Sequence, residues 1–99
     1  MKYKVDWKVS QEKWLPVLKM FSSMTRKERA NAGPGVKLIC RWHDVVAREG
    51  VAIVESNDLA ALTRYLGQWN PHMDMTIAPV LDDNGAAAFG RQVTAANRG

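Results

Sequence analysis

The chain has little of what usually announces a function. Its 99 residues contain one cysteine, Cys40. No internal disulfide can form, and a reducing, cytoplasmic setting is the expectation. On its strand pattern Cys40 reads as buried and inert, because no neighbouring base or helix N-terminus is evident to activate the thiol. No run of about 18 apolar residues occurs, which excludes a membrane-spanning helix and argues against a membrane partner. The opening Met1-Lys2-Tyr3-Lys4-Val5-Asp6 alternates and lacks the apolar stretch of a signal peptide. The two histidines, His43 and His72, are far apart in sequence. Asp44 and Asp74 beside them supply no firm third ligand, so no metal site and no cofactor are expected. Acids are scarce in the first half: residues 1–48 hold 11 Lys/Arg against 4 Asp/Glu, and residues 49–99 hold 3 against 6. A basic half can mark an anionic partner. The preferred reading is solvated side chains on strands that interleave in one sheet.

An apolar share of 46% and a charged share of 24% are ordinary for a globular domain. The expected layout is one domain over residues 1–89 followed by a loose tail over 90–99. Lys2 to Val9 alternates strictly, with Tyr3, Val5, Trp7 and Val9 on one face of a strand. Trp14, Leu18 and Phe21 then follow helical spacing. Pro16 predicts a helix start near Glu12 to Leu15, which keeps the proline in the first turn. Thr25-Arg26-Lys27-Glu28 has capping-box spacing and predicts a short helix from Arg26 to Asn31. Gly33-Pro34-Gly35 turns the chain into a second strand. Alternation there groups Trp42 with Val36, Leu38 and Cys40, and sets Arg41 and His43 on the opposite, polar face. After a loop over Asp44 to Gly50, Val51-Ala52-Ile53-Val54 is apolar on both faces, the mark of a central strand covered on both sides. Asn57 is expected to cap a helix with Leu59, Leu62, Leu66 and Trp69 as its buried stripe. Asn70-Pro71 ends it, and Met73 to Leu81 makes a fourth strand, with Pro79 pointing to a sheet edge. Ala86 to Phe89 adds one helical turn.

The order strand, helix, strand, strand, helix, strand is the ferredoxin-like βαββαβ pattern of an α+β fold. Right-handed crossovers put both helices on one face of a four-stranded antiparallel sheet. The other face is then open, and a second copy of the chain is the expected cover, giving a homodimer. Val5-Asp6-Trp7, Gly35-Val36-Lys37-Leu38, Arg41-Trp42-His43, Val51-Ala52-Ile53-Val54-Glu55, Trp69 and Pro79-Val80-Leu81-Asp82-Asp83 together resemble a family of small bacterial proteins, domain-of-unknown-function family 3303. That family is similar in turn to the dimeric α+β barrels, which include stress-responsive barrel proteins and cofactor-independent monooxygenases. The resemblance spans roughly residues 1–88. It implies the fold and dimerisation and transfers no catalytic residues. The basic segment Ser22 to Ala32 departs from it in length and charge.

The candidate ligand-binding residues are Arg41, His43, Asp6 and Asp74, expected on one polar sheet face with Lys4, Lys8 and Thr76. In a cleft between protomers such a face suits a small polar or anionic molecule. Arg41 would pair with a carboxylate or enolate, and His43 would serve as hydrogen-bond donor or base. The competing expectation is a non-enzymatic homodimeric module whose polar face is simply solvated. Nucleic-acid binding is not expected. RNA-recognition motifs place stacking aromatics on the third strand, and Gly50 to Glu55 has none. A lone Cys40 is no copper-chaperone loop. Trp69, Asn70 and His72 crowd one turn instead of converging around a haem. Trp14, Phe21 and Trp69 are expected to be core.

Overall fold

A computed structural model describes residues 1–97 of the chain. The elements run β1 (Lys2–Lys8), α1 (Gln11–Ser23), α2 (Arg26–Ala30), β2 (Lys37–Asp44), β3 (Glu49–Glu55), α3 (Leu59–Trp69), β4 (Asp74–Val80) and α4 (Asp83–Asn97), with a 3-10 turn over Asn70–His72 after α3. The sheet order is β2-β3-β1-β4 and every neighbouring pair is antiparallel. This is the ferredoxin-like βαββαβ arrangement, with α4 added at its end. The two inner strands, β1 and β3, carry the core. Val5, Ala52 and Val54 pack with Leu62 of α3, and Tyr3, Trp7, Leu38, Tyr65, Leu66 and Met75 close around them. β4 is an edge strand, so Pro79 needs no ladder donor there.

Local chemistry accounts for most element boundaries. The capping box at α2 is complete: the Glu28 N–H donates to Thr25 Oγ1 (3.1 Å), and the Thr25 N–H donates to Glu28 Oε1 (2.8 Å). These bonds hold the Glu28 carboxyl below its ordinary pKa. α1 begins at Gln11, so Pro16 lies inside the helix and not in its first turn. The Glu12 carbonyl thereby loses its i+4 donor, but both residues are exposed and solvent can take its place. The cap of α3 is Asp58, not Asn57. Asp58 Oδ1 accepts from the Ala61 N–H at 3.1 Å, while Asn57 Oδ1 accepts from the Met1 ammonium at 2.9 Å. Leu59 therefore sits in the first turn and is 69% exposed, outside the stripe expected for it.

Two departures are larger. α4 is a continuous helix where one turn and a loose tail were expected. Asp82 starts it, its carbonyl accepting from Ala86 (2.8 Å) and its side chain from Gly85 (2.9 Å). The last two residues of the expected tail lie outside the described residues. The second departure is in β2. The register passes from Leu38 opposite Val54 directly to Cys40 opposite Ile53, leaving Ile39 as a β-bulge. One extra residue reverses the alternation beyond it. Leu38 faces the helices, and so do Arg41, opposite Ala52, and His43, opposite Gly50. Cys40 and Trp42 turn to the open side instead, where Cys40 is half-buried and Trp42 is 72% exposed.

Candidate functional site

The bulge at Ile39 decides which side chains can meet. It turns Arg41 and His43 to the helix-facing side of the sheet, where half-buried Arg41 and exposed His43 line a cavity of about 80 Å³ that is open to solvent. Its walls are mostly apolar, with aromatic rings among them: Trp7 and Val5 from β1, Trp14 and Phe21 from α1, Trp69 from α3. Trp14, Phe21 and Trp69, expected to be core, are instead half-buried lining residues outside the core cluster. The polar atoms converge at one end, on Arg41, His43 and Tyr65.

Arg41 is held by neutral partners. Its Nη2 donates to the Tyr65 hydroxyl and to the Arg29 carbonyl, each at 3.1 Å. Its guanidinium carbon lies 5.4 Å from the centre of the Phe21 ring, within cation–π range. Among the described residues no carboxylate forms an ion pair with it; the pairs present are Lys2 with Glu55 and Asp82, and Lys4 with Asp6. No buried side-chain nitrogen or oxygen lacks a partner among the described residues, so the donors of Arg41 left without a protein acceptor face open space.

His43 packs against two aromatic rings, Phe21 at 5.0 Å and Trp7 at 5.5 Å between centroids. Burial lowers its pKa first, and the Arg41 charge lowers it further. Both favour the neutral imidazole, which can accept a proton at neutral pH. Trp7 reaches this position because Gly50, its neighbour on β3, has no side chain in the way.

The polar face expected from strict alternation is divided by the sheet. Arg41 and His43 are on the helix side. Asp6 and Asp74 are on the open side, where Asp6 pairs with Lys4 at 3.4 Å and Asp74 stands opposite Lys8 in the β1–β4 ladder. Asp6 borders a shallow groove of about 430 Å³ with Trp42, Asp44, Glu49 and Val51, which also touches Trp7, His43 and Gly50. That groove is larger, but it is wide open, and its side chains include three carboxylates. The smaller cavity is the better candidate because it can remove an apolar surface from water while presenting a cation. The sequence reading missed Tyr65, Phe21, Trp7 and Arg29 as neighbours of Arg41 and His43. Helical spacing from Leu62 to Tyr65 was a usable signal for the first of these. Among the described residues no three His, Cys, Asp or Glu side chains gather as a metal site, and no helix is long and apolar enough to cross a membrane.

A family model described as a domain of unknown function, DUF3303, matches residues 1–94, and the chain belongs to that family. No curated protein matches. Among solved structures, the chain is similar to a crystal structure of an antibiotic biosynthesis monooxygenase, at 21% identity and a TM-score of 0.49. The likeness covers 83% of this chain and 100% of that one.

Proposed function

We propose that this DUF3303 chain binds a small molecule with an apolar body and one acidic oxygen, a carboxylate, phenolate or enolate, in the cavity between the sheet and the helices. The observation that carries this reading is Arg41: a half-buried guanidinium in an apolar, aromatic pocket, with neutral partners and no carboxylate among the described residues. An anion entering the pocket would complete its hydrogen bonding with charge-assisted contacts. The ligand class shifts from polar to amphipathic, because apolar side chains dominate the lining. His43, exposed at the rim of the cavity and with its pKa lowered by partial desolvation and by Arg41, is placed to accept the proton of a phenol or enol, and Arg41 would stabilise the resulting anion. Monooxygenase-like chemistry would begin from such an electron-rich anion, and oxygen uptake with a bound phenol is its specific test.

Calorimetric titration with benzoate and phenol tests the binding reading. Benzoate should bind, and Arg41→Gln should weaken it about tenfold or more, the scale of one charge-assisted contact. Equal affinity in wild type and variant would sink the assignment.

A homodimeric module is the second reading, and the open sheet face favours it. Trp42 is 72% exposed there beside half-buried Val51 and Cys40. Lysines on β1 and acids on β2, β3 and β4 give that face both signs of charge, which suits apposition with its own copy. The two readings are compatible, since the cavity and the open face lie on opposite sides of the sheet.

A further inference from the structure

We infer that the Tyr65 hydroxyl is the second anchor of this cavity. It donates its proton to the ligand oxygen that Arg41 binds, and the pair selects an anion presenting one oxygen, as a phenolate does, over a carboxylate. The inference rests on the cavity being a ligand site and goes further by adding a donor and narrowing the ligand class. Tyr65 and Arg41 both line the cavity, and Arg41 Nη2 donates to the Tyr65 oxygen at 3.1 Å.

A count of hydrogens at this pair decides what is left for a ligand. A guanidinium only donates, so the Tyr65 oxygen is the acceptor and its own proton is not used on Arg41. Among the described residues the hydroxyl makes no other hydrogen bond. Arg41 Nη2 has two N–H groups and two acceptors, the Tyr65 oxygen and the Arg29 carbonyl, each at 3.1 Å. Nη2 is therefore fully engaged. A guanidinium grips a carboxylate through two parallel N–H groups. Both of its forks, side-on with Nε and end-on with Nη1, include one hydrogen of Nη2. The Tyr65 oxygen fills that place in one fork and the Arg29 carbonyl fills it in the other. A carboxylate cannot seat both oxygens in either.

Beside the Tyr65 oxygen one parallel N–H stays open, and a single ligand oxygen fits it. That oxygen is then a neighbour of the hydroxyl and the natural acceptor of its proton. It receives two charge-assisted bonds, one from Arg41 and one from Tyr65. The hydroxyl is held in place for this. Tyr65 is half-buried and packs against the core cluster of Leu62, which is fully buried three residues earlier on α3. The rival explanation is that Tyr65 only steadies Arg41 and never touches the ligand.

Titrations with 4-nitrophenolate and 4-nitrobenzoate, at a pH where both are ionised, separate these possibilities, since the two differ only in the acidic group. Wild type should bind 4-nitrophenolate about tenfold more tightly, the scale of one added charge-assisted bond. Its visible band should move to shorter wavelength as the phenolate oxygen accepts hydrogen bonds. Tyr65→Phe keeps the ring and removes the donor. It should weaken 4-nitrophenolate about tenfold and reduce the band shift, while 4-nitrobenzoate, now able to use the vacated fork, holds or gains affinity. Equal weakening of both ligands in Tyr65→Phe would make Tyr65 a support for Arg41 and overturn the inference. Wild type binding both through Arg41 with no preference overturns it too, whatever the variant does, while the cavity reading survives. If wild type binds neither, or if Arg41→Gln leaves both affinities unchanged, the two readings fall together.

Discussion

The indole of Trp7 lies across the backbone of Gly50. A Cβ built at Gly50 would clash with Trp7 Cζ2 and come within 2.6 Å of both Trp7 Cε2 and the Trp42 carbonyl oxygen. Trp7 and His43 both stand opposite this glycine, one from each neighbouring strand. The missing side chain is what lets the indole and the imidazole meet over the sheet.

Replacing Gly50 should therefore destabilise the protein, although a strand glycine ordinarily costs stability relative to alanine. The entropic gain of Gly50→Ala is about 0.5–1 kcal/mol. Overpacking against an indole and a backbone carbonyl costs about 1–3 kcal/mol, so the clash wins. Urea denaturation should show a net loss. Truncating Trp7 in the same chain should recover only part of it, because the Trp42 carbonyl stays where it is. A more stable Gly50→Ala protein would contradict the packing described here.

His43 gives stability a pH dependence. Its folded pKa lies below the ordinary value of about 6.5, so the unfolded chain binds the proton more readily. Stability from this group is fully present above that value and falls as pH drops toward the folded pKa. Groups near His43 are Arg41 on its own strand and the rings of Phe21 and Trp7. Melting curves of wild type and His43→Gln should diverge in that acidic window and run parallel above it. A wild-type protein that gains stability on acidification relative to the variant would reverse the assignment.

The α2 capping box positions Arg29. Thr25→Ala removes the acceptor for the Glu28 N–H and should cost about 1 kcal/mol, or the local equivalent in faster amide exchange over Arg26 to Ala30. Unchanged exchange in α2 would mean that the box contributes nothing there.

The open face predicts self-association. Sedimentation at micromolar concentration should report twice the chain mass, with Trp42→Asp shifting the protein to monomer. Trp42 is the most exposed of the four tryptophans, so acrylamide quenching of its emission should fall as concentration rises. Quenching independent of concentration, with a monomer mass, would remove the homodimer reading and leave the cavity untouched.

Deleting Ile39 tests the bulge. The register already passes from Leu38 to Cys40, so the shortened strand would be regular and Arg41 and His43 would keep their side of the sheet. Benzoate should still bind through Arg41. Loss of binding in a folded deletion variant would show that the bulge shapes the site beyond setting its face.

The sequence by itself determined the elements, their order and several of their ends. Thr25 and Glu28 announced α2, Gly33-Pro34-Gly35 the turn into β2, and Pro79 the edge strand, because caps, turns and missing donors act within a few residues. It also set Val5 and Trp7 on one face of β1, where alternation runs unbroken. The composition of the site was a tertiary decision. Alternation in β2 holds only until the ladder with β3 leaves Ile39 unpaired, and nothing local marks that residue, which is neither glycine nor proline. From there on the faces exchange: Trp42 goes to the open side and Arg41 and His43 go to the helix side, away from Asp6 and Asp74. Arg29 and Tyr65 joined them by a route no spacing rule describes. They lie 12 residues before Arg41 and 24 after it, and only the packing of α1, α2 and α3 over one sheet face brings them to the same ring and the same guanidinium.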